Sequence, residues 1–152
     1  MKMVKKTEPE AEKVRKGSTG WMLKILCTSL DAEMSNELKR LGLNLGQFAV
    51  LMTLSEAEGL TQSEIGKKIT MPGYATTRTI DALEEKQFVE RRKDDRSRRS
   101  YRIYLTDKSH KVIPQLFTVV GKVNEHLLSA LTPKEQKDLM KILKKLVLSR
   151  TE

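Results

Sequence analysis

Residues 61–106 constrain this chain more than any other stretch. They read, in order, as a capped short helix, a turn, a second helix fronted by polar residues, and a strongly basic hairpin. Thr61 and Glu64 have the spacing of a capping box, in which each side chain satisfies the other residue's free backbone N–H. Leu60, Ile65 and Ile69 recur at helical spacing. The chain then turns through Thr70, Met71, Pro72 and Gly73. Pro72 suits a first helical turn, where its missing N–H costs nothing, and it keeps Met71 extended. The second helix is predicted over about residues 73–86. Ala75, Thr79 or Ile80, and Leu83 are expected to face inward, and Tyr74, Thr76, Thr77 and Arg78 outward. This order is that of a helix-turn-helix followed by a wing.

In such a unit the first residues of the second helix meet base edges in the major groove. An arginine pairs with guanine through two hydrogen bonds, and a threonine methyl touches a thymine methyl. Tyr74, Thr76, Thr77 and Arg78 are therefore DNA-binding candidates, and Thr61 and Ser63 at the start of the first helix join them. The hairpin begins at Phe88 and Val89 and returns through Tyr101, Ile103 and Leu105, which alternate with Arg102 and Tyr104 as a half-buried strand does. Between these strands, residues 91–99 carry six cations against two anions. A tip this basic follows phosphates or enters the minor groove, which makes Arg91, Arg96, Arg98 and Arg99 candidates too. A basic run alone is usually a solvated face. The ordered set is what points to double-stranded DNA.

The same stretch resembles the winged helix of the MarR family of bacterial transcription regulators. LNLGQFAVLMTL at 43–54 resembles the family's second helix. TRTIDALEEKQFVER at 77–91 resembles its recognition helix running into the wing. DDRSRRSYRIYLT at 94–106 resembles the wing, with Asp94, Arg96 and Ser97 in its Asp-x-Arg-Ser pattern. The likeness extends over about residues 18–149 and departs at Ser109, where the family often has glycine. It implies that Asp94 and Arg96 shape the wing tip, with Arg96 entering the minor groove; such a pair can equally brace the hairpin. It also implies that the chain ends build a homodimer, and that a small phenolic or aromatic ligand, often an anion, releases the DNA. Trp21, Met34 and Phe48 are the candidate pocket residues for that effector, with plain core packing as the competing role.

The flanking segments read as helices. A long one is predicted from about Ser18 to Arg40, with a wide apolar stripe and Gly42 as its left-handed cap. Cys27 lies inside it. A redox-sensing regulator acting through Cys27 is one reading, because a peroxide-sensing branch of the family carries a reactive cysteine in this helix. That cysteine lies nearer the helix start, and the sequence places no Lys, Arg or His firmly enough beside Cys27 to favour a thiolate, so a buried structural cysteine is the stronger expectation. Asn44 and Gln47 make a second capping box opening a helix to about Ala57, ended by Gly59. After Thr106 a helix is expected to about Ala130, with a kink or later start at Pro114. Thr132, Pro133 and Glu135 open the last helix, whose stripe is Leu139, Ile142, Leu143, Leu146 and Val147. These helices carry more apolar surface than the winged unit can cover, and a second subunit is the natural partner. A two-fold dimer reads a pseudo-palindromic site.

The expected fold is mainly α with a small β-wing. The winged helix-turn-helix lies at about 45–106, dimerisation helices at about 18–41 and 107–149, and a disordered basic tail at 1–17. With 152 residues the chain has the length of one domain. Its 29 Lys and Arg against 20 Asp and Glu leave a charge of +9, which favours an anionic partner. An aromatic content of 5% argues against stacking on single strands. No apolar run reaches membrane-spanning length and no secretory signal opens the chain, so a cytoplasmic protein is expected. One cysteine makes no internal disulfide. His110 and His126 have no companions at zinc-ligand spacing, and no phosphate loop or nucleophile motif occurs. No metal, cofactor or catalytic activity is expected. The alternative to a sequence-specific regulator is a winged helix serving as an architectural or protein-interaction module with non-specific DNA binding.

Overall fold

A computed structural model describes residues 9–95 and 97–150, without the side chains of Arg98 and Arg99. Among the described residues, seven helices and three strands follow one another as α1 (Glu10–Gly17), α2 (Thr19–Lys39), α3 (Leu45–Glu56), β1 (Leu60–Thr61), α4 (Gln62–Lys68), α5 (Gly73–Glu85), β2 (Val89–Asp94), β3 (Ser97–Leu105), α6 (Asp107–Leu128) and α7 (Pro133–Leu148). The sheet has the order β1-β3-β2 and is antiparallel throughout. Leu60 pairs with Ile103 and Val89 with Leu105. The two-residue β1 is an addition to the expected hairpin. So short a strand has no period to read, and only its partner Ile103 reveals it.

One core unites the central elements. Leu38 of α2, Val50, Leu51 and Leu54 of α3, Ile65 of α4, Ile80 and Leu83 of α5, and Leu116 and Val123 of α6 are fully buried. Val89, Ile103 and Leu105 close it from the sheet. Tyr101, expected on the buried side of β3, is exposed beyond the end of this core.

Three helices end with the same hydrogen-bond pattern. Gly42 takes a φ of 69°, and Leu43 N–H returns to the Leu38 carbonyl at 3.1 Å. Thr70 takes a φ of 54° while Met71 N–H reaches the Gly66 carbonyl at 2.9 Å. Gln87 takes a φ of 61° while Phe88 N–H reaches the Leu83 carbonyl at 2.8 Å. This is the left-handed Schellman closure. Only the first carries the expected glycine. A β-branched residue in that region is strained, and Thr70 holds it at the turn between α4 and α5. Gly59, expected to end α3, does not: α3 stops at Glu56 with Ala57 extended, and Gly59 donates its N–H to the Ile103 carbonyl beside β1.

Other expectations need correction. Residues 10–17, expected in a disordered tail, form α1. Glu10 and Glu12 lie in its first turn, Arg15 and Lys16 in its last, and Glu12 pairs with Lys16 at 2.9 Å, so charges complement the helix dipole at both ends. Residues 1–8 lie outside the described residues. α6 runs unbroken through Pro114 from its cap at Thr106. Cys27, expected to be buried, is exposed, on a half of α2 where Trp21, Ile25 and Leu26 are exposed too. Ser109, at the departure from the family pattern, is fully buried and donates its hydroxyl to the Phe88 carbonyl. It ties the start of α6 to the start of the wing.

The capping boxes at Thr61–Glu64 and Thr132–Glu135 form as spaced. Thr61 N–H and then its hydroxyl hold the Glu64 carboxyl below the ordinary value of 4.5, and Thr132 does the same to Glu135. A depressed folded-state value means the stabilisation is complete above 4.5 and is lost as pH falls through the folded value. Thermal melting between about pH 6 and pH 3 should therefore fall less steeply for the doubly substituted Glu64→Gln, Glu135→Gln chain than for the native one. Parallel pH curves would refute this assignment.

Candidate nucleic-acid interface

α5 is seated by its inward face. Thr76, Ile80 and Leu83 stand at positions i, i+4 and i+7 and are fully buried. Thr76 was expected outward, and this is the main correction to the candidate site. It lies about 200° around the helix from Tyr74 at 100° per residue. Its hydroxyl donates to the Met71 and Pro72 carbonyls at 3.2 and 3.0 Å. A Cβ on Gly66 would meet the same hydroxyl oxygen at 2.8 Å. Gly66 therefore lets α4 and α5 approach closely. The i, i+4, i+7 spacing with Ile80 and Leu83 was the signal that places Thr76 inside.

The opposite face of α5 is open. Tyr74 is 74% exposed, Arg78 is exposed and Thr77 half-buried. At 100° per residue these three fall within about 100° of arc. Arg78 has no hydrogen bond or ion pair with any described residue, and the competing partner Asp81 is engaged by Arg91. Thr77 accepts a hydrogen bond from Gln62 of α4 and donates to the Gly73 carbonyl at 2.9 Å. Beside this face an open groove of about 520 Å³ is lined by Ser63, Lys67, Thr70 and Gly73. Ser63 is exposed there, whereas the Thr61 hydroxyl is committed to its cap on Glu64. Lys67 and Gln62 were missed in the sequence, where nothing in their spacing separates them from ordinary surface residues.

The wing is braced from both sides. Arg91, one of the candidate phosphate contacts, instead spans Asp81 and Glu84 of α5. Burial works against its charge, but the two carboxylates outweigh it and raise its pKa. This clamp fixes the angle between wing and recognition face. Asp94 sits beside a break in the β2–β3 register with its side chain 8% exposed, 3.1 Å from Arg102. Its carboxylate raises the Arg102 pKa, and Arg102 also donates to the Gly59 carbonyl at 2.7 Å. Asp94 thus ties β2 to β3 and to the approach to β1. Arg96 lies outside the described residues, as do the side chains of Arg98 and Arg99, whose backbone belongs to β3. Arg92 lies 4.2 Å over the Tyr104 ring.

The three candidate pocket residues do not meet. Met34 belongs to the core, Phe48 packs against its edge, and Trp21 is exposed. Thirteen positions of α2 separate Trp21 from Met34, about 20 Å at the helical rise. No group of three or more metal-ligating side chains occurs among the described residues. No helix there is long and apolar enough to cross a membrane.

Comparison with known proteins agrees with this geometry. The model of the MarR family matches residues 43–101. The transcriptional repressor MprA of Escherichia coli is 30% identical over 132 residues, covering 83% of this chain and 75% of its own. The HTH-type transcriptional regulator YkoM of Bacillus subtilis is 31% identical over 107 residues, 70% of each chain. A MarR transcriptional regulator from Methanosarcina mazei has the same fold, with a TM-score of 0.81 at 24% identity over 87% of this chain and 95% of that one. A mutant MarR from E. coli complexed with operator DNA gives 0.77 at 26% identity, covering 88% and 96%. A MarR family protein of Mycobacterium tuberculosis in complex with salicylic acid gives 0.72 at 28%, covering 86% and 96%.

Proposed function

The chain belongs to the MarR family of transcription regulators, and from that premise we propose that it is a dimeric cytoplasmic repressor that binds a pseudo-palindromic operator and lets go when a small ligand binds. The observation that carries this reading is the face of Tyr74, Thr77 and Arg78, exposed and aimed away from a rigidly seated helix. Its arginine has no protein partner among the described residues, so its donors are available to a base edge. The structural relative bound to operator DNA supports the target, and the relative bound to salicylic acid supports an effector. Dimerisation is supported by α7. None of its residues is buried, although Ile142, Leu146 and Val147 line one side. Trp21, Ile25 and Leu26 leave α2 equally uncovered. Apolar faces of this extent are ordinarily covered by another chain. Two recognition helices related by a two-fold axis then meet half-sites about 34–36 Å apart.

Selection from random duplex DNA at near-physiological salt tests the reading. An inverted repeat is expected. Binding that vanishes with salt and yields no motif would instead establish a non-specific architectural module. On the recovered site, Arg78→Ala should cost about 1–3 kcal/mol of discrimination at one base pair in each half-site. Unchanged site preference in competition binding would remove Arg78 from base reading.

A further inference from the structure

A second cavity, of about 330 Å³, lies between the end of α3 and the first half of α6. Its floor is apolar: Leu54 and Ile113 are buried, and Phe117 stands at the rim, 52% exposed. Its polar border is acidic. Glu56 and Glu58 line it, and the only other titratable side chain there is His110, whose Nε2 lies 3.6 Å from a Glu58 oxygen. Among the described residues, no lysine or arginine lines the cavity.

The backbone adds to the same sign of potential. α3 ends at Glu56, and the last carbonyls of a helix lack intrahelical donors and carry the negative end of its dipole. Across the cavity, Pro114 brings no N–H to the carbonyl of His110 one turn earlier. The exposed Phe117 ring offers the face that attracts organic cations. A phenolate or carboxylate entering this cavity would meet two carboxylates and a helix C-terminus, with His110, already beside Glu58, the one basic side chain among the described lining residues.

We propose that the α3–α6 cavity binds a small hydrophobic organic cation, such as an aryl quaternary ammonium, in preference to an aromatic anion. The binding follows from the cavity itself. That occupancy releases DNA rests on the repressor reading above, through α6, which joins the cavity to the wing at Ser109 and Phe88.

Calorimetric titration of the full chain with phenyltrimethylammonium and with benzoate tests it. The cation should bind about tenfold more tightly than benzoate. Glu56→Gln with Glu58→Gln should weaken the cation by about threefold per charge, as partly exposed charges do. Glu58→Lys should reverse the order of the two probes. Failure of the cation to bind, tighter or equal binding of benzoate, or an unchanged cation affinity in the glutamine pair would overturn the assignment. Operator binding without probe is read on the same samples: its absence would sink the repressor reading while the probe affinities still decide the cavity.

Discussion

Ile142→Glu combined with Leu146→Glu is expected to convert the protein to a monomer and lower its operator affinity by about 10²–10⁴-fold, the gain that tethering two binding units supplies. The substitutions are placed where the chain's own fold does not need them. α7 contains no buried residue, and Ile142 and Leu146 are 56% and 49% exposed. In the proposed dimer a carboxylate at each point would be buried against an apolar partner face, unpaired. Thermal unfolding of the monomer should remain cooperative, and its affinity for an isolated half-site should be close to that of the native chain. Sedimentation and operator titration read the two effects independently. A double variant that stays dimeric would place the interface elsewhere, and a monomer with native operator affinity would remove the two-fold reading of the operator.

Leu83→Ala is expected to destabilise the protein by about 2–5 kcal/mol, the range for deleting a fully buried leucine side chain. Domains of this kind are stable by only about 5–15 kcal/mol. Leu83 is fully buried, and its carbonyl also accepts the N–H of Phe88 that closes α5. The substitution therefore loosens the recognition helix and the entry to the wing together. Urea unfolding gives the stability change. Tyr74→Ala, on the opposite face of the same helix, should shift stability by no more than about 0.5 kcal/mol. A loss below about 1 kcal/mol for Leu83→Ala would mean that α5 is not seated through that residue.

The two substitutions divide the molecule along the line between what the sequence discloses and what it withholds. Helix starts were legible because a capping box is a local arrangement: Asn44 with Gln47, Thr61 with Glu64 and Thr132 with Glu135 each complete their bonds within three residues. The wing strands were legible from the alternation through Ile103 and Leu105. The left-handed closure of a helix was legible only at Gly42. Thr70 and Gln87 close their helices in the same left-handed geometry, but neither residue type announces it, and the surrounding fold imposes the conformation.

Within the candidate site the same division holds. Arg78 and Tyr74 were readable as outward residues from their polar character at the start of the second helix. Thr76 is polar but sits inside, because its spacing with Ile80 and Leu83 puts it on the buried face and two carbonyls satisfy its hydroxyl internally. Arg91 and Arg102 were legible as charges but not as braces, since their partners Glu84, Asp81 and Asp94 are specified by how α5 meets the wing and how β2 meets β3. The separation of Trp21 from Met34 and Phe48 and the exposure of Cys27 follow from how far α2 extends beyond the core.

By itself, then, the sequence determined the order and kind of the elements, the basic character of the wing and the outward face of the recognition helix, because caps, periodicity and charge act over a few residues. Only the tertiary structure decided which arginines are committed to carboxylates, which apolar faces remain uncovered, and that an acidic cavity lies between α3 and α6. Each of these depends on residues distant in the chain being brought within a few ångströms, and local spacing carries no record of that.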